Sequence, residues 1–418
     1  MAQIAGILAR EVINCLGNPG VEVDVVLVDG TIGRAALPSC RYSRDEAIEV
    51  GQNRRWHSDK AVLAARTNVN LFASKIVGMD ALDQAGVDHV MLEYGDLCNK
   101  ENLGINATLG VSLAVAKAAA ASLNVPLYQY LGGCQSKQMP VPMMKVLSGG
   151  KYSCNNLDFQ EFMIVPVEAV SFVEAMRRCG KVYHTLKNIL KSCQPSTSVR
   201  SAGDFVPNLV ANEEALAILL RAIKKAGYKP GKQIALAFNA VAADFFEEGV
   251  YNLPGEGFIK TPAEMVEYYT ELVAEYPIIS IQEGIAREDR EGRKLFFQRL
   301  GGKIQLVDHE LLVPQSELLR QGIQSKIGNA IALKVNQLAT ISDIFDMAGR
   351  VKSAGYTCII SSYPNEMADA GLADVAVSVN AAQIKGNTLV CAAQVAMYNQ
   401  LLRIEEDQGK YKNQQKLN

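Results

Sequence analysis

The chain has 418 residues, 49% hydrophobic and 21% charged, with a formal net charge of -2. This excludes a disordered polyelectrolyte and gives no reason to expect nucleic-acid or acidic-membrane binding. Nine cysteines, an odd number with no Cys-x-x-Cys pair, point to buried thiols in a reduced cytoplasmic setting instead of a disulfide framework. Residues 1–5 lack the apolar core of a signal peptide, and no run of about 18 apolar residues suggests a membrane span.

The length suggests at least two core-forming units. Residues 4–10 and 21–29 alternate as strands do. Asp29-Gly30 is a hairpin turn signal, and a third strand follows at 32–37. The spacing predicts an antiparallel meander. Helical patterns come next at 44–49, 58–73, 79–84 and 106–123. Residues 114–121 are almost all small, so neighbours can pack closely, and Val125-Pro126 stops the helix. These elements make an α+β domain over residues 1–133, a normal domain size.

After Gly133 the pattern alternates strand and helix. Strands are predicted at 141–147, 161–165, 234–239, 278–282, 304–308, 331–335, 358–361 and 375–379. Helices are predicted at 170–190, 213–226, 262–275, 287–300, 316–327 and 341–354. The first two strands are too close for a helix between them, so they pair as a hairpin. The sum is an α/β fold, a (β/α)8 barrel over residues 134–418. Sites on such barrels sit at the C-terminal strand ends, which here carry Asn239, Gln282, His309, Lys334 and Ser362. Glu161 starts its strand, and an antiparallel second strand brings that start to the same mouth. Lys334 lies in the short apolar run 331–335. It either snorkels to solvent or points into the mouth toward an anion or a proton.

Several stretches then fit one family. They are Gly17-Asn18-Pro19-Gly20-Val21-Glu22-Val23, Leu103-Gly104-Ile105-Asn106-Ala107, Gln160-Glu161-Phe162-Met163 and Val182-Tyr183-His184. Further along come Leu333-Lys334-Val335-Asn336-Gln337, Gln383-Ile384-Lys385 and residues 398–406. In this order, from about residue 4 to 409, the chain resembles enolase, the phosphopyruvate hydratase of glycolysis. The resemblance implies a fold of an N-terminal α+β domain before a barrel that begins with a β-hairpin. It implies a lysine base at Lys334, a second active-site lysine at Lys385 and a glutamate at Glu161. It also implies two Mg²⁺ ions holding the negative charge of the intermediate.

The same correspondence departs from the family at most other site positions. The three metal carboxylates fall on Asn239, Gln282 and His309. The loop serine that reaches the second metal falls on Tyr42. The second catalytic glutamate falls on Ala202, the histidine of the Gly-Gly-x-His loop on Tyr152, and the histidine, arginine and second serine of a Ser-His-Arg-Ser segment on Ser362, Tyr363 and Pro364. Amides and one imidazole suit Mg²⁺ poorly, because it wants anionic oxygen. The resemblance therefore implies an enolase-like pseudoenzyme, with dehydratase activity and Mg²⁺ binding lost and a structural or regulatory binding role. Lys334, Glu161 and Lys385 would then be vestigial, holding the mouth as a charge network with Glu161 paired to Lys334. The alternatives are a weak or altered hydratase making phosphoenolpyruvate from 2-phosphoglycerate, or a non-catalytic anion or metabolite sensor. No cofactor is expected, and Mg²⁺ only if activity is retained. The family's dimers imply a homodimer or a protein partner in a larger assembly, although the arginine of the intersubunit ion pair falls on Leu16.

Overall fold

The computed structural model describes residues 2–15, 17–38, 69–97, 105–151, 153, 155–193, 198–199, 203–308, 327–362 and 367–409. Tyr42, Leu16, Tyr152, Ala202, His309, Tyr363, Pro364 and the helices expected at 44–49 and over most of 316–327 lie outside them.

The chain opens with β1 (Ile4–Ile13), β2 (Pro19–Leu27) and β3 (Ile32–Pro38), an antiparallel meander in the order β1-β2-β3. The turn between β2 and β3 puts Gly30 at φ +86°, a conformation that favours glycine. One face of the sheet is apolar, with Val21, Val23, Val25 and Leu27 buried. The other carries Asp24, which accepts hydrogen bonds from Arg34 and Arg10. Those bonds, Arg34's first, outweigh burial and hold the Asp24 carboxyl down at about 2.

The apolar face packs on the helix Ile105–Ser122. Its small residues allow the close approach expected. A methyl group on Gly33 of β3 would overlap the carbonyl oxygen of Ala114 and the backbone nitrogen of Ala118. This helix is long and apolar enough to cross a membrane by composition, yet 78% of it is buried inside the fold. It is a core helix.

The helix expected at 79–84 is not there. Backbone bonds from Ile4 to Met79 and from Ala81 to Ala2 pin that segment to the start of β1. The helix instead runs over Gln84–Leu97, entered through Asp83, whose Oδ1 accepts from Gly86 N.

Eight strands close into the barrel. They are β4 (Val141–Ser148), β5 (Glu161–Val165), β6 (Ala235–Asn239), β7 (Ile278–Gln282), β8 (Gln305–Asp308), β9 (Ala330–Lys334), β10 (Thr357–Ser361) and β11 (Gln383–Gly386). β4 and β5 pair antiparallel, as their short separation requires, and β11 pairs back onto β4 to close the ring. Val141, Met143, Met163, Val165, Ala237, Val307, Ala330, Ala332 and Ile359 fill the barrel interior.

One strand assignment is corrected. Residues 375–379 are not the eighth strand, because the helix Gly371–Ser378 occupies most of them. Ala373, Val375, Ala376 and Val377 are all buried there. A short run that is apolar all round reads alike for a covered strand and a covered helix. The true eighth strand is β11, and it carries Lys385. Further elements went unread, among them a three-stranded sheet over Phe246–Glu247, Val250–Leu253 and Phe258–Lys260, and the closing helix Ala392–Gln408.

Candidate functional site at the barrel mouth

Strand register decides which side chains meet. In β4 the inward positions are Val141, Met143 and then Lys145, since alternate residues of a strand share a face. β5 runs the other way, so Glu161 at its start stands opposite Ser148 of β4 and Asn239 of β6. Lys334 ends β9 opposite Ser361, and Ser361 stands opposite Lys385. The mouth therefore gathers Lys145, Glu161, Asn239, Gln282, Lys334 and Lys385 from six strands. Of the described residues expected in the ring, Glu161, Asn239, Gln282 and Lys334 are there, while Ser362 Oγ donates to Gln394 Oε1 of the helix that follows β11 at 3.0 Å.

Glu161 is the hub. Its Oε2 lies 2.5 Å from Lys385 Nζ and accepts from Asn239 Nδ2 at 3.1 Å. Its Oε1 lies 3.6 Å from Lys145 Nζ. Lys145 Nζ also lies 3.7 Å from Asp204, whose other oxygen accepts from Ser148 Oγ. Lys385 Nζ donates to Gln282 Oε1 at 2.8 Å, and Gln282 Nε2 donates to Glu283 Oε1 at 3.0 Å. Burial works against the Glu161 charge. The Lys385 and Lys145 ammoniums, with hydrogen bonds from Lys385 and Asn239, overcome it and hold the carboxyl far below the usual carboxylate range. Glu161 thus pairs with Lys385 and Lys145, two partners that the sequence reading did not give it. Lys334 itself is half-buried at its strand end.

Lys145 is the residue the sequence reading missed. Its side chain is 4% exposed, and it sits in a strand that is buried at every position. The signal was present: a lysine in Val-Pro-Met-Met-Lys-Val-Leu-Ser needs a partner for the same reason that Lys334 does. Below the mouth lies a second polar layer. Ser280 Oγ donates to Gln305 Oε1 and Gln305 Nε2 to Gln383 Oε1, both fully inside the barrel.

The two described carboxylates beside the substituted positions are already engaged, one outside the barrel and one at its mouth. Asp308 pairs with Arg293 of the helix Arg290–Leu300, away from the barrel interior. Glu283 already takes the Gln282 amide and sits at φ +47°. Val241, just past β6, sits at φ +51°, a strained conformation for a β-branched residue. Bonds from Ala240 N to Gln282 O and from Ala242 N to Glu283 O hold these two strand ends together.

The described donors do not fit Mg²⁺. At positions 239 and 282 they are neutral amides, and the Gln282 oxygen that a metal would use already accepts from Lys385. Asn239 Oδ1 is buried with no hydrogen-bond partner among the described residues, a single neutral oxygen. No cluster of three His, Cys, Asp or Glu side chains suited to a metal occurs among the described residues.

Two family models match the chain. Residues 4–131 match one described as "Enolase, N-terminal domain", and residues 136–416 match one described as "Enolase, C-terminal TIM barrel domain".

Proposed function

We propose, for a chain that belongs to the enolase family, that it keeps the fold of that family without the dehydratase chemistry and works by binding. Enolases normally hold Mg²⁺ against the charge of their intermediate. Here the reading is that fixed ammoniums stand in the mouth instead and that the protein is a pseudoenzyme.

One observation carries it: the closed network Lys385–Glu161–Lys145. A residue that assists departure of a hydroxyl needs a proton to give near neutral pH. Glu161, clamped between two ammoniums, is held ionised well below that range. The Lys385 that grips it also takes the amide oxygen at a metal-ligand position. Acid and metal therefore cannot be assembled from these groups without breaking the pairs that hold the mouth.

The competing reading, a weak or altered phosphopyruvate hydratase, draws on Lys334, Glu161 and Lys385 standing at the same mouth. A coupled assay decides. With millimolar Mg²⁺, purified protein is expected to convert no 2-phosphoglycerate to phosphoenolpyruvate above background. Turnover near that of an ordinary enolase would overturn the pseudoenzyme reading. The binding role is that of a cytoplasmic homodimer or of a subunit held by another protein. Affinity capture on the intact chain followed by mass spectrometry tests it, and recovery of the chain as a lone monomer counts against it.

A further inference from the structure

A pair of thiols joins the two halves of the chain. Cys15 lies in the loop between β1 and β2, and Cys391 immediately precedes the helix Ala392–Gln408. They are 376 residues apart in sequence, yet their sulfurs lie 3.6 Å apart. No disulfide joins them, and Cys15 is exposed and Cys391 buried.

The contact is built in from both sides. The Cys15 loop is closed by Asn14 N to Asn18 O at 2.9 Å, Gly17 N to Asn14 O at 3.0 Å and Asn18 N to Asn14 Oδ1 at 2.9 Å. On the other side, the segment from β11 to Cys391 is anchored by Asn387. Its N–H donates to Gln394 Oε1 and its carbonyl accepts from Tyr398 Oη. That segment begins two residues after Lys385, so it leads from the charge network of the mouth to the thiol contact.

We propose that Cys15 and Cys391 form a reversible disulfide, a redox latch that ties the N-terminal meander to the barrel. A sulfur–sulfur bond needs an approach from this 3.6 Å contact to about 2.05 Å. The oxidant is a peroxide. The exposed Cys15 thiolate attacks one peroxide oxygen, the O–O bond breaks, hydroxide leaves and Cys15 becomes a sulfenic acid. Cys391, its proton given to water, then attacks the Cys15 sulfur. The S–O bond breaks and the hydroxyl leaves as water once protonated. Two thiols lose two electrons, and one peroxide is reduced to two waters. A thiol reductant reverses the latch by exchange. The buried position of Cys391 makes it the resolving partner, because the exposed sulfur meets the oxidant first.

Trypsin separates the two cysteines cleanly, into peptides 11–34 and 386–403, each with one cysteine. The full chain is treated with a small excess of hydrogen peroxide, blocked with an alkylating agent and digested without reductant. The expected product is the 11–34/386–403 pair, two hydrogens lighter than the sum. It should vanish with dithiothreitol and be missing in Cys15→Ser and in Cys391→Ser. The oxidised chain should also melt a few degrees higher than the reduced one, a shift lost in Cys391→Ser. Cys15 carried to sulfinic acid or to a mixed disulfide with another copy, with no 391 linkage, would overturn the proposal. A linkage that forms without any change in melting would overturn the latch.

Discussion

At the scale of single residues, Glu161 matters most, because two ammoniums depend on it. Glu161→Gln leaves Lys145, 4% exposed, with Asp204 as its one carboxylate partner among the described residues and removes the charge opposite Lys385. Breaking a buried ion pair from one side costs about 3–5 kcal/mol. Urea unfolding at pH 7 is expected to show a loss of this order, and Glu161→Gln with Lys385→Met to recover part of it. The sign of the pH effect follows from the direction of the shift. The folded carboxyl lies below its ordinary value of ~4.3. Its stabilisation is therefore present above that value and lost as pH falls through the lower folded one. The gap between wild type and Glu161→Gln should be constant from neutral pH down to about 5 and shrink in stronger acid. An unchanged unfolding midpoint would mean the network does not hold the mouth. The ring itself was legible in the sequence, since strand ends and the antiparallel hairpin fix it. Lys145 was not, because attention to strand ends overlooks a lysine three residues before the end of β4.

At the scale of elements, two packings make distinct predictions. Gly33→Ala drives a methyl group into the backbone of the helix Ile105–Ser122, where no flexible side-chain end can move aside. Overpacking of this kind costs about 1–3 kcal/mol, and with backbone as the obstacle the upper end is expected. Calorimetry checks it, and a stability equal to wild type would mean the sheet and helix are less closely apposed. Asp374, in the helix Gly371–Ser378, has the opposite pH signature from Glu161. Burial pushes its carboxyl up to about 6, against hydrogen bonds from Gln400 and Tyr128 N–H. A raised acid favours folding below its ordinary value and loses that contribution as pH rises through the folded one. Asp374→Asn keeps an acceptor for both donors and removes the buried charge. The variant should therefore gain on wild type as pH rises from about 4 to about 6 and keep that gain above it, on the order of 3 kcal/mol. Equal pH dependence in the two proteins would refute the assignment. The same helix shows why the sequence misplaced the eighth strand. Its buried apolar run lacks periodicity, while the real strand, β11, hides a polar Gln383 and Lys385 inside the barrel. The three-stranded meander was legible because its two faces differ, and most barrel strands because helices with clear stripes separate them.

At the scale of the whole molecule, the N-terminal sheet and helix grip the barrel through polar ties: Lys117 to Asp369 at 2.6 Å, Asp88 to Ser342 at 2.7 Å and Ile341 N to Ser112 Oγ at 2.9 Å. With neutral amides at positions 239 and 282, Mg²⁺ has no anionic ligands there and is expected to leave the melting temperature almost unchanged. A site filled at a hundred times its dissociation constant would instead add about 2.7 kcal/mol. Restoring the metal carboxylates tests the residue correspondence itself. In the triple variant Asn239→Asp/Gln282→Glu/His309→Asp, the carboxylate introduced at position 239 can no longer donate to Glu161 and faces it as a like charge. The carboxylate introduced at position 282 meets Lys385. That excess of carboxylates attracts a divalent cation, and measurable Mg²⁺ binding by calorimetry is expected to return. Lys145 competes for the same charge from inside the barrel. Adding Lys145→Met to the triple variant should therefore tighten Mg²⁺ further, by roughly tenfold for each 1.4 kcal/mol of competition removed. Turnover is not expected in either variant. Position 202 remains alanine, so no second glutamate assists the leaving hydroxyl, and positions 42 and 363 remain tyrosine. Metal charge stabilisation and proton delivery are separate contributions, and the second is worth about 10² to 10⁴ on its own. If neither variant binds Mg²⁺, the strand ends do not hold these side chains as assigned. If Lys145→Met changes nothing, the lysine pairs with Asp204 alone and the hub is smaller than drawn. Should turnover return with the metal, Ala202 and the loop positions matter far less than the chemistry of the reaction requires.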